Sequence, residues 1–223
     1  LLGLMVFAGL APGADDAVVG WRTDGTGRYP GATPPVQWSA SKNVAWATPM
    51  PDWSNSTPVI VGDRLFICSE PTTLLCLNRA DGQIIWSRGH GYDLLPKPAD
   101  NEQPGPPRTH GSNGFSSGTP VSDGQHVYVI FGNGVGAAYD MDGNRQWICR
   151  IDRPTAGWGQ SSSPALIGDT LVVLVNDLVG YDAATGEQKW RTKSKQLWGS
   201  PIHVRIGQVN TVVTPSGQIV QAA

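Results

Sequence analysis

The sequence repeats one plan of residues three times and begins a fourth copy. Each copy opens with Ser or Thr before Pro, and each complete copy passes through three turns and closes on Trp. The complete copies span residues 56–86, 118–147 and 162–190, and another begins at residue 200. Short runs of β-branched and aromatic residues between Gly- and Asp-containing turns are typical of antiparallel strands. The repeat therefore predicts one four-stranded antiparallel meander in each complete copy.

A single sheet of this kind cannot bury both of its faces, so the copies must stack face to face. Radial stacking of four-stranded sheets is the arrangement found in β-propellers. A charged fraction of 15%, with 28 Gly and 18 Pro, suits short strands joined by tight turns. We therefore predict an all-β fold, a β-propeller of four-stranded antiparallel blades, of which about 3.5 are present. The predicted blades span residues 53–86, 115–147, 158–190 and 197–223.

Each complete copy ends with Asp or Asn, a turn that contains Gly, and a strand that reaches Trp. A Trp ring is large and flat and offers one N–H, so it can lie across the turn of a neighbouring blade. Gly supplies a positive φ in that turn, and the Asp side chain accepts backbone N–H groups. We predict a structural, blade-docking role for Trp46, Trp86, Trp147, Trp190, Asp140, Asp182, Gly82, Gly143 and Gly186.

Residues 42–48, KNVAWAT, match the last strand of a copy, although no opening strands precede them. A ring needs such a strand if its final blade is completed by both ends of the chain. Closure of that kind removes the exposed edges of an open sheet. We predict that residues 42–48 form a closing strand in which Trp46 is equivalent to the other docking Trp residues.

Two closing segments, LNRADGQIIW (residues 77–86) and YDAATGEQKW (residues 181–190), resemble the repeat of pyrroloquinoline-quinone-like (PQQ-like) propellers of secreted bacterial proteins. The resemblance covers about residues 21–223. It implies a ring of about seven or eight blades. The chain is therefore expected to be an N-terminal fragment, with a propeller domain at residues 38–223 that is incomplete at its C-terminus. The resemblance also implies similarity to the outer-membrane assembly propeller, which binds partner polypeptides.

The chain begins with a continuously apolar run, LLGLMVFAGLA, followed by PGADD. This run resembles the hydrophobic region of a signal peptide, with small residues nearby for cleavage; a buried strand or helix is the alternative. We predict a partial signal peptide at residues 1–14, an N-terminal extension at residues 15–37, and a secreted or periplasmic location. No stretch approaches the roughly 20 apolar residues of a membrane span. A net charge of −2 with scattered basic residues argues against a nucleic-acid partner.

The linker before the second blade is 34 residues long, whereas the next two linkers take 17 and 11 residues. Its insertion, residues 88–114, contains two of the four His residues. Long loops in a fold of tight turns are often functional. We hypothesise that Arg108, His110 and Asn113 line a polar pocket that faces the central channel. A solvated, Pro-rich loop is the alternative.

Three cysteines, Cys68, Cys76 and Cys149, are too few for a disulfide framework. A bridge between Cys68 and Cys76 across a hairpin is one possibility. Alternatively, Cys76 is a small packing residue, because Ala138 and Gly180 stand at its place in the other copies. The sequence has no His pair or CxxC with metal-ligand spacing, and neither GxGxxG nor GxSxG. It therefore predicts no metal site, no cofactor and no identified catalytic residue.

Three functions are compatible with these observations. The favoured one is a non-catalytic extracytoplasmic scaffold that presents a propeller face or channel to a protein or polymer. The second is a PQQ-dependent quinoprotein dehydrogenase of alcohols or sugars. For such an enzyme the family resemblance implies a quinone over the channel, Ca²⁺ held by acidic and amide side chains, and a disulfide between adjacent cysteines. The third is an accessory propeller domain of a larger sensor or polysaccharide-processing protein. An incomplete ring is also expected to self-associate through its uncovered faces and edges.

Overall fold

The computed structural model describes residues 18–96, 105–195 and 197–221. The predicted signal peptide, residues 1–14, and the middle of the predicted insertion lie outside these ranges. Within them, the chain forms antiparallel strands and one 3₁₀ turn, Tyr92–Leu94. No helix of the described residues is long and apolar enough to cross a membrane.

Four antiparallel sheets follow one another along the described chain, and in each sheet sequential strands are hydrogen-bonded neighbours. The first three sheets have four strands each, and the fourth has three. The predicted all-β fold of four-stranded propeller blades is therefore confirmed. The strands are β1 (Val59–Val61), β2 (Arg64–Ser69), β3 (Thr73–Asn78) and β4 (Ile84–Gly89) in blade 1; β5 (Val121–Ser122), β6 (His126–Ile130), β7 (Val135–Asp140) and β8 (Arg145–Arg150) in blade 2; β9 (Ala165–Ile167), β10 (Thr170–Leu174), β11 (Leu178–Asp182) and β12 (Gln188–Thr192) in blade 3; and β13 (Ile202–Ile206), β14 (Val209–Val213) and β15 (Ile219–Gln221) in blade 4.

The hydrophobic core is divided into layers between consecutive blades. Because successive side chains of a strand point to opposite faces, β2 contributes to two layers. Phe66 and Cys68 pack against β6 and β7 of blade 2, whereas Leu65 and Ile67 pack on the other face with Trp46. Equivalent layers lie between blades 2 and 3 and between blades 3 and 4. Stacking of neighbouring blades thus buries both faces of a sheet, as the repeat predicts.

The closing Trp of one blade lies on the third turn of the next blade. Trp86 donates its indole N–H to the carbonyl of Met141 at 3.0 Å. Its ring also covers Gly143, where an added Cβ would lie 2.8 Å from ring atom Cδ2. Gly143 has a φ of +81°, which L side chains rarely adopt. The same contacts recur for Trp46 with Arg79 and Gly82, and for Trp147 with Ala183 and Gly186.

The predicted Asp residues shape these turns from inside. The Asp140 carboxylate accepts the backbone N–H groups of Asp142 and Asn144 at 3.0 and 2.8 Å. Asp182 accepts two backbone N–H groups of its own turn in the same way. A carboxylate that accepts hydrogen bonds from the N–H groups of a turn fixes the conformation of that turn. Each Asp therefore stabilises the turn on which the Trp of the preceding blade docks.

Trp190, the fourth predicted docking residue, is half-buried, and its indole N–H has no hydrogen-bond partner in the described chain. The turn of blade 4 equivalent to residues 182–186 is not among the described residues, which reach only β15. At the other end, Trp46 contacts blade 1 as expected. Residues 44–48 around it pair with no strand of the described chain, so the closing strand stays a prediction.

The Ser or Thr before each opening Pro links the innermost strands of adjacent blades. Thr57 donates its backbone N–H to Thr119 Oγ1 at 3.1 Å, and Thr119 donates its own to Ser163 Oγ at 2.9 Å. Ser163 in turn donates to Ser200 Oγ at 2.9 Å. These four residues therefore form a hydrogen-bonded chain across four blades, in which Thr119 and Ser163 each supply both a backbone donor and a hydroxyl acceptor. This chain explains why Ser or Thr opens every copy.

Cys76 lies opposite Trp86 in its sheet, at the position where Ala138 and Gly180 lie opposite their own closing Trp residues. A small residue is needed there because the indole ring occupies the space. Cys68 lies opposite a different residue of β3, and both cysteines are free. Burial raises the pKa of both thiols to about 12. The structure thus supports the packing interpretation of Cys76 rather than a hairpin bridge.

The first end of the insertion is anchored by His90, which is fully buried. Its Nδ1 lies 3.0 Å from the carbonyl of Thr72, and its Nε2 lies 3.1 Å from the hydroxyl of Tyr139 in blade 2. Nδ1–H therefore donates to Thr72, and Nε2 accepts from Tyr139. The imidazole also packs on Phe131 with ring centroids 4.5 Å apart. Burial lowers the pKa of His90 to about 4, so the ring is neutral at pH 7.

Replacing a docking indole should destabilise the protein strongly. Trp147→Ala is expected to lower the free energy of unfolding by about 3–5 kcal/mol, because it leaves a cavity between blades. Denaturant titration followed by circular dichroism measures the change. The matched control is Trp198→Ala at a side chain that is 52% exposed, with an expected change within about 0.5 kcal/mol. Equal losses in the two variants would contradict the docking role.

The hydroxyl chain can be tested with a substitution that preserves shape. Thr119→Val removes the acceptor of the Thr57 N–H at a residue that is 2% exposed. We expect a loss of about 0.5–1.5 kcal/mol, because the partly buried hydrogen bond between the two blades is lost. Thr119→Ser keeps the hydroxyl and should retain most of the stability. If the Val variant were as stable as the Ser variant in the same titration, the hydrogen bond would not contribute.

His90 should make stability depend on pH. The unfolded chain binds a proton near the ordinary pKa of about 6.5, whereas the folded chain does so only near pH 4. The stabilisation is complete above pH 6.5 and is lost as the pH falls toward 4, by about 3 kcal/mol. Urea titrations at pH 7 and pH 4.5 measure this loss. His90→Gln, which does not titrate, should show a smaller difference; an equal difference would contradict the assignment.

Candidate functional site

The second end of the insertion carries the three residues predicted to line a pocket. Arg108 and His110 are exposed, whereas Asn113 is only 5% exposed. His110 and Asn113 belong to one turn, in which Asn113 donates its backbone N–H to the carbonyl of His110 at 2.9 Å. The structure therefore brings these two residues together and places Arg108 at the surface beside them in sequence.

The Asn113 side chain is used within the protein. Its amide group donates to the carbonyl of Gln160 at 3.3 Å, and its Oδ1 accepts from the Ser117 hydroxyl at 3.1 Å. From the other side, Asn55 donates its side-chain amide to the carbonyl of Ser112 at 2.8 Å. These bonds join the segments that lead into blades 1, 2 and 3. Asn113 thus holds the turn in place, while Arg108 and His110 are the exposed side chains of the predicted set.

His110 stacks on the indole of Trp158, which lies in the segment leading into blade 3. The ring centroids are 3.9 Å apart and the planes differ by 9°. A backbone hydrogen bond of 3.1 Å from His110 N–H to the carbonyl of Trp158 fixes the pair. The Thr109 hydroxyl lies 3.3 Å from the same carbonyl. Trp158 nevertheless remains 47% exposed, so the stack presents a flat, rigid aromatic surface to solvent.

A second exposed indole lies in the segment leading into blade 4. Trp198 is 52% exposed, and its carbonyl accepts the Ser161 hydroxyl of the preceding segment at 3.1 Å. It therefore lies at the same end of the innermost strands as the His110–Trp158 stack. We call His110, Trp158 and Trp198 the aromatic cluster.

Glu70 fixes the segment that follows the insertion. It is 9% exposed and lies in the turn between β2 and β3. Its Oε1 accepts the backbone N–H groups of Phe115 and Ser116 at 2.8 and 2.7 Å, and the Ser116 hydroxyl at 2.6 Å. Gly114 lies so close to this carboxylate that an added Cβ would overlap it. A charged acceptor for several donors holds a loop firmly, so the insertion is anchored at both described ends.

Sequence reasoning missed the two exposed indoles and the Glu70 anchor. One signal for the indoles was present, because Trp recurs in the segments before three opening Pro residues, at Trp53, Trp158 and Trp198. Glu70 had no such signal: the equivalent turn of the third copy also holds a carboxylate, Asp177, but its partners are Arg191 and Lys193 of its own blade and the segment after it. Its role depends on a contact with residues more than 40 positions away.

The chemistry available at this end of the blades is that of a binding surface. It combines flat aromatic rings, a group enriched in the cores of protein interfaces, with backbone carbonyls and hydroxyls that can form hydrogen bonds. Among the residues that the structure describes, no group of three His, Cys, Asp or Glu side chains could hold a metal ion. The polar pocket of Arg108, His110 and Asn113 stays a prediction.

Comparison with solved structures gives likenesses of fold at low identity. BamB from Moraxella catarrhalis is 16% identical over 80% of this chain and 66% of its own, with a TM-score of 0.37. A quinohemoprotein alcohol dehydrogenase from Pseudomonas putida HK5 is 17% identical over 67% of this chain and 22% of its own, with a TM-score of 0.48. The computationally designed Ika4 protein is 8% identical over 78% of this chain and 92% of its own, with a TM-score of 0.50. This chain thus spans just under two thirds of the BamB chain and about a fifth of the dehydrogenase.

No curated protein matches the chain. One family profile matches residues 32–223 of the chain. It is of the PQQ-like repeat type and is described as outer membrane protein assembly factor BamB. These residues include every blade and the docking residue Trp46. The chain therefore belongs to the PQQ-like propeller family described as outer membrane protein assembly factor BamB.

Proposed function

We propose that this protein is a non-catalytic scaffold, located outside the cytoplasm, that binds a partner polypeptide through the aromatic cluster. The observation that carries the proposal is the contrast between two groups of indoles. Trp86 and Trp147 lie between blades and are at most 8% exposed, whereas Trp158 and Trp198 are about half exposed at one end of the innermost strands. Exposed aromatic groups in a cluster are typical of interaction sites rather than of solvent-facing surface.

The rigidity of the cluster favours binding. The His110–Trp158 stack is held by a backbone hydrogen bond, and Asn113 and Glu70 fix the segment that follows His110. A side chain that is already immobilised loses little conformational entropy when a partner covers it. The surface is therefore suited to apolar side chains of a partner polypeptide. The family description, an assembly factor for outer membrane proteins, supports such a partner.

The test is binding of an unfolded outer-membrane β-barrel polypeptide, diluted from urea and labelled with a fluorophore. We expect saturable binding to the purified chain by fluorescence anisotropy. The double variant Trp158→Ala/Trp198→Ala should bind at least about tenfold more weakly, because truncation of an interface hot spot costs more than 1 kcal/mol. Circular dichroism should show the double variant to be folded.

Two controls sharpen this test. Trp38→Ala removes a different indole that is 54% exposed and lies outside the cluster, so it should bind like the unsubstituted chain. His110→Ala removes the stacking partner while keeping both indoles and should give an intermediate affinity. If the double variant binds as tightly as the unsubstituted chain, or if neither binds, the proposed function is wrong.

A further inference from the structure

Val19 of the N-terminal extension pairs with the inner edge of blade 2 through one isolated antiparallel bridge. Val19 donates its backbone N–H to the carbonyl of Ser122 in β5 at 2.9 Å, and Ser122 donates its own to the carbonyl of Val19 at 2.8 Å. Val18 packs on the core between blades 2 and 3. At Gly20, an added Cβ would lie 2.9 Å from Val121 Cγ2. The innermost strand of a blade can therefore accept an extended chain along its free edge.

Blade 4 offers the equivalent edge without such a partner. Ser122 and His203 are each the second residue after their opening Pro, and each lies opposite a residue of the next strand in its blade. In an antiparallel sheet, the backbone N–H and C=O of one residue both point to the same neighbouring strand. That residue forms no backbone hydrogen bond with the strand on its other side. By this equivalence, the backbone N–H and carbonyl of His203 point to the edge that Val19 covers on β5. In the described chain β13 pairs only with β14.

The free edge of β13 borders a cleft of about 190 Å³. The N-terminal segment, including Trp21 and Asp24, forms one wall, and the innermost strands of blades 3 and 4 form the other. His203 is exposed, and its Nε2 lies 3.1 Å from Asn210 Oδ1 at the cleft. Exposed backbone donors and acceptors beside a cleft with aromatic and polar walls suit an extended peptide whose side chains alternate between the two sides.

We propose that the inner edge of β13 binds an extended segment of a partner polypeptide as an added antiparallel strand, paired through the backbone of His203. This proposal rests on the proposed polypeptide-binding function and names a second point of contact for the same partner. Ile202 of blade 4 is equivalent to Val121 of blade 2, since each directly follows its opening Pro. Val121 lies so close to Gly20 that a side chain there would overlap it. The bound segment therefore needs a small residue where it faces Ile202, which lines the cleft. The Val19 pairing on β5 shows the geometry of the added strand.

The experiment uses a fluorescein-labelled peptide with the sequence of residues 17–23, AVVGWRT. We expect it to bind the purified chain, measured by anisotropy. His203→Pro removes the N–H on the free edge and keeps the β13–β14 ladder, since proline is tolerated at edge positions. This variant should bind at least tenfold more weakly, whereas His203→Ala should bind within twofold of the unsubstituted chain. A peptide methylated on the nitrogen equivalent to Val19 should also lose at least tenfold, which tests the backbone bond without altering the protein.

Other outcomes overturn the proposal. The peptide would be exchanging with the N-terminal segment on β5 if Ser122→Pro abolished binding and His203→Pro did not. The imidazole rather than the strand edge would be the contact if His203→Ala lost as much as His203→Pro. If the unfolded barrel polypeptide binds through the aromatic cluster but the peptide does not bind, only the strand-addition site is wrong. If the peptide binds at His203 but the unfolded polypeptide does not bind at all, the proposed function is wrong instead.

Discussion

The docking of each closing Trp on the next blade's turn is the contact on which the rest of the structure depends. A single blade exposes two apolar faces and cannot be stable alone. The indole attaches one blade to the next through two contacts: its ring covers the turn glycine, and its N–H donates a hydrogen bond to a turn carbonyl. Trp86 does so with Gly143 and Met141. Any side chain at the glycine would occupy the space of the ring. Strand order, blade spacing and the layered core all follow from repeating that contact.

A second set of contacts works at the inner ends of the blades. Thr119 and Ser163, each before an opening Pro, accept a backbone N–H from the preceding blade on their hydroxyl and donate their own N–H to the following one. Proline cannot donate a backbone N–H, so the residue before it is the last donor available before the innermost strand. At the interfaces between blades 1 and 2 and between blades 2 and 3, the outer end is thus held by an indole and the inner end by a hydroxyl, which fixes the angle between these blades at two points.

The candidate binding surfaces occupy places that these contacts leave free. The segments leading into the blades are held by Asn113, Glu70 and the hydroxyl chain, so the indoles of Trp158 and Trp198 can stay exposed without being mobile. The innermost strands have one edge directed away from their own blade, and Val19 shows how a chain can cover it. Both surfaces are positioned by a rigid framework, as is common for sites carried on loops and edges.

The repeat by itself determined the blade, its four strands, and the Trp, Gly and Asp of the docking contact. These features have the same local geometry in every copy, so comparison of the copies was enough to identify them. It also predicted that Trp46 is equivalent to the other docking Trp residues, since the segment around it matches a closing strand; the structure shows its contact with Arg79 and Gly82 of blade 1. Only the tertiary structure decided what happens where copies differ. The Asn113 side chain contacts Gln160 and Ser117, and His110 stacks on Trp158. The contacts of Asn113 with Gln160 and of Glu70 with Phe115 join residues 47 and 45 positions apart, and no local sequence pattern indicates a partner at that distance.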